Sequence, residues 1–141
     1  VYLSLLLLGI PVNIKAMARM TETNVDASCN ILFDYKNSAK ALLESTIEND
    51  TPIEAYVYGT KGHIILHNRF HHSEKITVKK DDMQEEVYNC KYTGEGYFHE
   101  IREVNDCVKG GKIESSKLTL QTSLNLISVL DKVKNEIGLK Y

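Results

Sequence analysis

Residues 25–35 of this 141-residue chain alternate between apolar and more polar side chains at every second position. They read Val25-Asp26-Ala27-Ser28-Cys29-Asn30-Ile31-Leu32-Phe33-Asp34-Tyr35. Successive side chains of a strand point to opposite faces of its sheet, so this period of two predicts a strand with one covered and one more polar face. Asn37-Ser38 suits a tight turn, and residues 39–48 are expected to return as the second strand of an antiparallel hairpin.

The rest of the chain extends this hairpin into a larger sheet followed by helices. Short β-rich runs between turn residues predict further strands at 12–20, 53–58, 63–67, 74–80 and 85–90. The first of these is mostly apolar and is expected to be buried on both faces. Two apolar stripes at helical spacing follow, one at Phe98, Ile101, Val104 and Val108, the other at Leu120, Leu124, Ile127, Leu130, Val133 and Ile137. We therefore predict an α+β fold: an open, mainly antiparallel sheet of about seven strands with helices packed on one face.

Length and composition favour one domain over residues 1–141. A chain of 16.0 kDa fits one ordinary domain, and 43% hydrophobic residues against 26% charged ones exclude wholesale disorder. The 17 Lys and Arg residues face 19 Asp and Glu residues, which gives a net charge of -2. No net positive field attracts nucleic acid or an anionic membrane, so neither is expected as a partner.

The cysteines and the start of the chain suggest where the protein resides and what precedes it. Cys29, Cys90 and Cys107 lie far apart and cannot all pair, which favours free thiols and a cytoplasmic location. Residues 1–10 are apolar but shorter than the roughly 20 residues that a membrane span requires. They are better interpreted as the last turns of a helix that Gly9 and Pro11 end. A chain that opens inside a helix, without an initiator Met, is interpreted as a fragment of a larger protein.

No metal or phosphate site is predicted. His63 and His67 would lie about 13 Å apart along one strand, too far to bind one ion together. The glycines of Gly59-Thr60-Lys61-Gly62 lie between two strands, whereas a phosphate-binding loop precedes a helix, so a hairpin turn is favoured. Gly94-Glu95-Gly96 does precede a helix but lacks the third glycine of the dinucleotide fingerprint, and we interpret it as a helix start.

Several stretches, in this order, resemble the C-terminal half of the glucose–fructose oxidoreductase / inositol dehydrogenase (Gfo/Idh/MocA) family. They are Val1-Tyr2-Leu3 with Leu8-Gly9-Ile10-Pro11, then residues 21–26, 53–55, 59–64, 96–101 and 111–115, and the closing residues 137–141. The resemblance covers nearly the whole chain. It implies an open, mainly antiparallel sheet with helices on one face, in agreement with the pattern of the residues.

The resemblance also implies a function. In this family an N-terminal Rossmann domain, absent from this chain, binds NAD or NADP, and the open sheet face builds a dimer or tetramer. Substrates are mostly sugars, inositols and related polyols or diols, and a hydride passes between the substrate carbon and the nicotinamide. The chain is thus expected to be the substrate-binding and dimerisation domain of an NAD(P)-dependent oxidoreductase, with its own Rossmann domain and a second copy as partners.

Tyr2 is the catalytic candidate that the resemblance implies. It matches the last position of the family's Asp-x-Gly-x-His or Asp-x-Gly-x-Tyr stretch, and tyrosine there is similar to the dihydrodiol and xylose dehydrogenase branch. A phenol with an ordinary pKa of about 10 is a poor base at neutral pH unless an ammonium group lies beside it. The family's active-site lysine lies outside this chain, as does the nucleotide-binding loop. We therefore expect Tyr2 to act as acid and base only in the full-length protein, and the chain alone to bind no cofactor and to be inactive.

Arg19, Thr23 and Asp26 are the candidates for the substrate pocket. They lie at the end of one predicted strand and the start of the next, where their polar groups could bind substrate hydroxyls; a turn followed by a solvated strand face explains them equally. Tyr97 and His99 are weaker candidates, because a helix start accounts for both. For the chain as a whole, the alternative is a non-catalytic α+β module that oligomerises through its sheet and serves as a scaffold.

Overall fold

The computed structural model describes residues 1–94 and 96–140. The elements, in chain order, are α1 (Tyr2–Leu8), β1 (Asn13–Met20), β2 (Asp26–Asp34), β3 (Lys40–Thr46), β4 (Ala55–Gly59), β5 (Gly62–Leu66), β6 (Lys75–Lys80), β7 (Glu86–Asn89), α2 (Phe98–Lys109) and α3 (Leu120–Glu136). A short 3-10 helix, Phe70–His72, precedes β6. The chain divides into two compact units, one formed by Val1–Asp50 with Glu114–Tyr141 and the other by Thr51–Ile113. The prediction of a single domain over 1–141 stays a prediction.

The first unit contains a three-stranded antiparallel sheet in the order β1-β2-β3. The alternating stretch forms its central strand, in which Phe33 lies opposite Ile14 on one side and Ala41 on the other. The turn between β2 and β3 is closed by the backbone N–H of Tyr35, which donates to the carbonyl of Ala39 at 3.1 Å. The predicted hairpin is thus present.

Both helices of the first unit pack on one face of this sheet. The buried side chains of β2 form a core cluster with Val129 and Val133 of α3, and Leu5 and Leu8 of α1 pack against it. The β2 members of the cluster are Cys29, Ile31 and Phe33, with Tyr35 just beyond the strand. This arrangement confirms the α+β class with helices on one face of an antiparallel sheet.

The opposite face of the same sheet is open. Met17 is 80% exposed and Leu42 is 81% exposed on this face, and Leu32 lies directly opposite Leu42 in the register. Strand β1 alternates between exposed and half-buried residues along its length. The expectation that residues 12–20 are buried on both faces was therefore wrong, because the helices cover only one face.

The second unit contains a four-stranded antiparallel sheet in the order β4-β5-β6-β7. Gly59 and Gly62 face each other across the β4–β5 turn, and Gly62 has a φ of 136°. Gly59-Thr60-Lys61-Gly62 is thus a hairpin turn between strands, as expected. The seven strands were predicted, but they form sheets of three and four strands.

The helices begin near the predicted residues, but the buried face was predicted only in part for α3 and was not predicted for α2. Helix α3 begins after Thr119, whose side-chain oxygen accepts a hydrogen bond from the backbone N–H of Thr122 at 3.1 Å. Val133 of the predicted stripe is 5% exposed, as predicted. Leu124 of the same stripe is 64% exposed, whereas Val129, which lies outside that stripe, is 1% exposed. On α2 the predicted stripe is exposed throughout, at Phe98, Ile101, Val104 and Val108, while Cys107 is buried.

Two further expectations were a helix start at residues 94–96 and the lack of a membrane-spanning segment. The predicted helix start at Gly94-Glu95-Gly96 includes Glu95, which lies outside the described residues, as does Tyr141 at the end of the chain. Across residues 1–94 and 96–140, no helix has both the length and the apolar character of a transmembrane segment.

Candidate functional site

Tyr2 is the first residue of helix α1, and its side chain is partly exposed. Val1, Leu5 and Leu8 pack against the core of the first unit, which orients the helix. Ser4 is buried one turn into the helix and donates its hydroxyl to the carbonyl of Val1 at 2.7 Å. Tyr2 is 37% exposed. The phenol is therefore accessible to a molecule outside this unit.

The turn from β1 to β2 holds two threonine hydroxyls close together. The backbone N–H of Thr21 donates to the carbonyl of Val25 at 2.8 Å, and that of Asn24 donates to the carbonyl of Thr21 at 3.1 Å. Thr21 Oγ1 accepts from the backbone N–H of Val25 at 3.2 Å and lies 3.0 Å from Thr23 Oγ1. These contacts fix the Thr21 side chain and bring the Thr23 hydroxyl to the same side of the turn.

A shallow hollow of about 380 Å³ lies beside this turn, and we call it the turn hollow. It is lined by Arg19, Thr21, Glu22, Thr23 and Glu48. Two of the three predicted pocket residues, Arg19 and Thr23, thus line one concave surface. Threonine hydroxyls donate and accept, guanidinium groups donate, and carboxylates accept, so this surface can bind several hydroxyl groups at once.

Glu48 is the residue of the turn hollow that the sequence did not single out. Its carboxylate forms an ion pair with the guanidinium of Arg19, and its backbone N–H donates to Thr46 Oγ1 at 3.1 Å. Both side chains of the pair are substantially exposed, so the pair contributes at most about 1 kcal/mol to stability. Its main effect is on charge, because the paired Glu48 offsets the positive charge of Arg19.

Asp26 lies next to the turn but does not line the turn hollow. It is the first residue of β2 and lies opposite Met20, at the point where the register between β1 and β2 shifts. Burial raises the pKa of the Cys29 thiol, and the Asp26 carboxylate raises it further. Tyr2 is likewise absent from the residues that line the turn hollow. The structure therefore groups Arg19 with Thr23 and places Asp26 and Tyr2 outside that group.

A polar network in the second unit was not predicted from the sequence either. His67 Nε2 lies 2.8 Å from Thr77 Oγ1, and His67 Nδ1 lies 3.5 Å from a carboxylate oxygen of Glu54. The other carboxylate oxygen of Glu54 accepts from the hydroxyl of Tyr56 at 2.6 Å, which raises the pKa of that phenol. Thr77 is 3% exposed. Its hydroxyl is therefore inaccessible to a substrate, and the network joins neighbouring strands.

Tyr97 and His99, the weaker candidates, do not line the turn hollow, and a second, larger hollow contains none of the predicted site residues. Tyr97 caps the start of α2 and His99 lies in its first turn, both exposed and both in the second unit. A hollow of about 440 Å³ is lined by Lys132, Asn135 and Glu136 of α3 and by residues 11–14, none of which was predicted as a site residue.

The described residues contain neither a parallel dinucleotide-binding unit nor a group of metal ligands. Both sheets are antiparallel, whereas a dinucleotide site requires a parallel βαβ unit with a glycine-rich turn before the helix. Within residues 1–94 and 96–140, no three His, Cys, Asp or Glu side chains are grouped to hold a metal. No residue of this chain is therefore assigned to a cofactor, and the expectation of no metal stays a prediction.

Sequence comparison identifies relatives among dehydrogenases. No protein-family model matches the chain. It is 28% identical over 136 residues to trans-1,2-dihydrobenzene-1,2-diol dehydrogenase of Xenopus tropicalis, covering 93% of this chain and 41% of that protein. It is 23% identical over 142 residues to the scyllo-inositol 2-dehydrogenase (NADP(+)) IolU of Bacillus subtilis (strain 168), covering 100% of this chain and 42% of that protein. The chain thus spans less than half the length of these relatives.

Structure comparison finds the same fold in oxidoreductases. The 3-ketoreductase KijD10 from Actinomadura kijaniata, in complex with TDP-benzene and NADP, superimposes with a TM-score of 0.78 at 18% identity. The match covers 96% of this chain and 44% of that enzyme.

In sequence and in fold, the chain is thus similar to the C-terminal part of Gfo/Idh/MocA oxidoreductases. The resemblance inferred from the sequence is confirmed. Within that class the chain is similar to the trans-1,2-dihydrobenzene-1,2-diol dehydrogenases, the branch that a tyrosine at position 2 indicated.

Proposed function

We propose that this chain is the substrate-binding and dimerisation domain of an NAD(P)-dependent oxidoreductase that acts on a sugar, a polyol or a cyclic diol. The observation that carries the proposal is the similarity to a diol dehydrogenase over 93% of the chain. The similarity to an inositol dehydrogenase over the whole chain supports it further. Both relatives act on rings that carry hydroxyl groups, as their names state.

Tyr2 is the proposed acid and base. Its partly exposed phenol at the start of α1 can give a proton to a substrate oxygen or take one from it. At neutral pH this requires a neighbouring cation that stabilises the phenolate. The proposal assigns that cation to a lysine of the N-terminal domain, so the chain alone is inactive.

Arg19, Thr23 and Asp26 are the proposed substrate-binding residues. Arg19 and Thr23 both line the turn hollow, which supports a role for both in substrate binding. For Asp26 the only support is its position at the start of β2. Guanidinium and hydroxyl groups can bind ring hydroxyls, and the geometry of such contacts fixes which carbon reacts.

The proposed partners are the protein's own N-terminal Rossmann domain, which binds NAD or NADP, and a second copy of the chain. The open face of the first unit's sheet, with Met17, Leu32 and Leu42 exposed, supports association through that face. The proposed location is the cytoplasm, and the three free cysteines support it.

The proposal is tested by a dehydrogenase screen of the full-length protein against neutral sugars, inositols and cyclic diols. Each compound is supplied with NAD and with NADP separately, and formation of the reduced nicotinamide is followed by its absorbance. We expect turnover of at least one ring diol or polyol. Absence of turnover with every compound would favour the non-catalytic oligomerisation module instead.

A calorimetric titration of residues 1–141 with NADH and with NADPH tests whether the cofactor binds to the other domain, as proposed. No binding is expected, because the proposed cofactor site belongs to the other domain. Binding in the micromolar range would contradict the assignment of the cofactor to a separate Rossmann domain.

A further inference from the structure

We propose that the turn hollow selects neutral, hydroxyl-rich ligands and rejects anionic ones, and that Glu22 and Glu48 are the residues that set this selectivity. The inference rests on the proposed function, in which the turn hollow binds substrate. It narrows the substrate class to uncharged sugars, polyols and diols, and it excludes sugar acids and phosphorylated sugars.

The residues that line the turn hollow carry more negative than positive charge. Arg19 is their one cation, and the Glu48 carboxylate already forms an ion pair with it. Glu22 adds a second carboxylate, and across the described residues no cation forms an ion pair with it. The lining therefore has one net negative charge.

An anionic ligand would meet like charges in the turn hollow. The guanidinium of Arg19 has N–H groups besides the one that contacts Glu48, so an anion could still contact it. The carboxylates of Glu48 and Glu22 would then both lie close to the ligand's negative charge. Juxtaposed like charges are strongly unfavourable, and the ion pair with Glu48 already offsets the charge of Arg19, so we expect anionic ligands to bind weakly.

A neutral ligand with hydroxyl groups can form hydrogen bonds with the same lining residues. The Thr21 oxygen already accepts from the backbone and contacts the Thr23 hydroxyl, which leaves Thr23 with hydrogen-bonding capacity for a ligand. Carboxylate oxygens of Glu22 and Glu48 accept from ligand hydroxyls without being displaced. A ring hydroxyl both donates and accepts, so it matches this mixture of groups.

The selectivity is tested by ligand-observed NMR on the full-length protein with two matched pairs of probes. The pairs are D-glucose with D-glucuronate, and trans-1,2-cyclohexanediol with trans-1,2-cyclohexanedicarboxylate. We expect at least one neutral probe to bind about tenfold more tightly than its anionic counterpart. Equal binding within both pairs, tighter binding of the anions, or no binding of either neutral probe would overturn the inference.

Variants assign the effect to the two carboxylates. Glu48→Gln releases Arg19 and is expected to strengthen anion binding about tenfold; Glu22→Gln is expected to strengthen it about threefold, with neutral binding changed less than twofold. Glu44→Gln removes an exposed carboxylate of β3 outside the turn hollow and is the matched control. If neither hollow variant strengthens anion binding more than the control does, the inference is wrong.

The dependence of ligand binding on ionic strength tests the same selectivity in the wild-type protein. Raising the salt from about 10 mM to about 100 mM shortens the Debye length from about 30 Å to about 10 Å. We expect glucuronate binding to strengthen several-fold over this range while glucose binding stays constant. Glucuronate binding that weakens with salt would indicate net attraction and overturn the inference.

These binding experiments contain no cofactor and require no turnover. A protein that binds the neutral probes selectively but oxidises none of the screened compounds refutes the proposed function and retains the selectivity. A protein that turns over a sugar acid as readily as the neutral sugar retains the dehydrogenase function and refutes the selectivity.

Discussion

The hydroxyl of Tyr35 is buried in the first unit and has no hydrogen-bond partner in the part of the chain that the structure describes. An unpaired buried hydroxyl is destabilising by about 1–3 kcal/mol. Tyr35→Phe is therefore expected to leave the free energy of unfolding unchanged or to raise it by up to about 1 kcal/mol. The edge-to-face contact with Phe33, at 6.4 Å between ring centroids, is retained in this variant. Urea unfolding measures the change.

Phe33→Ala is the control for this prediction. Phe33 is fully buried, and its truncation is expected to destabilise the protein by about 3–5 kcal/mol. A loss above about 2 kcal/mol in Tyr35→Phe would mean that the hydroxyl makes a hydrogen bond in solution.

Cys90 and Cys29 are expected to react at different rates with an alkylating reagent. Cys90 is exposed, whereas burial and the Asp26 carboxylate raise the pKa of the Cys29 thiol above its ordinary 9.0. The raised pKa of Cys29 lowers the fraction of its thiol that is present as the reactive thiolate, and its burial limits access of the reagent. Alkylation by iodoacetamide, followed by mass spectrometry, should modify Cys90 at least about tenfold faster than Cys29. Denaturant should abolish the difference; equal rates in the folded protein would contradict the buried position of Cys29.

At the residue scale, the sequence predicted part of the site. Arg19 and Thr23 flank one turn, so their proximity follows from local sequence. Glu48 was missed because it is distant in sequence and reaches Arg19 only through pairing of β3 with β2. The register of the β2–β3 hairpin could have identified Glu48. This register places Thr46 opposite Ser28. Two residues further along the chain, Glu48 then lies at the end of the sheet near the turn.

The two glycines of the β4–β5 turn allow a matched test of the register in which β5 pairs with β6. A Cβ on Gly62 would collide with the backbone carbonyl of Lys79 on β6, and the φ of 136° disfavours any other residue. A Cβ on Gly59 would meet only the carbonyl oxygen of Gly62, at an ordinary 3.7 Å. We expect Gly62→Ala to destabilise the protein by at least about 2 kcal/mol and Gly59→Ala by about 1 kcal/mol or less. Comparable losses in thermal unfolding would contradict this register of β5 on β6.

The strands were more predictable than the buried faces of the helices. A period of two assigns each side chain to a face once one residue is known to be buried, as Phe33 shows for β2. Helix α3 carries two apolar stripes, one with Leu124 and one with Val129, and both have helical spacing. Which stripe is buried depends on the packing of α3 against the sheet, and local periodicity contains no information about that packing.

At the scale of the whole molecule, the open sheet face tests the proposed oligomer. Leu42 lies on that face in the edge strand β3 and is 81% exposed. Leu42→Glu places a charge in the proposed interface and is expected to convert a dimer into monomers, as measured by light scattering. Ile113→Glu, at a 95% exposed position of the second unit, should leave the mass unchanged. A wild-type monomer, or a dimer that persists in Leu42→Glu, would contradict association through this face.

The family was recognisable because short stretches occur in the right order along nearly the whole chain, although no single stretch is specific. The division of the seven strands into sheets of three and four was not predictable. Connections of similar length join the strands within each sheet and between β3 and β4, so chain order alone does not show where a sheet ends.

The most direct test of the central claim is the turnover number of the full-length protein with and without the Tyr2 hydroxyl. For the best substrate of the screen, Tyr2→Phe should lower kcat by about 10²- to 10⁴-fold with KM changed less than about threefold, because only proton transfer is lost. Tyr58→Phe, at an exposed position of β4, should retain wild-type turnover. A kcat in Tyr2→Phe equal to that of the wild type would show that this tyrosine is not the acid and base of the reaction.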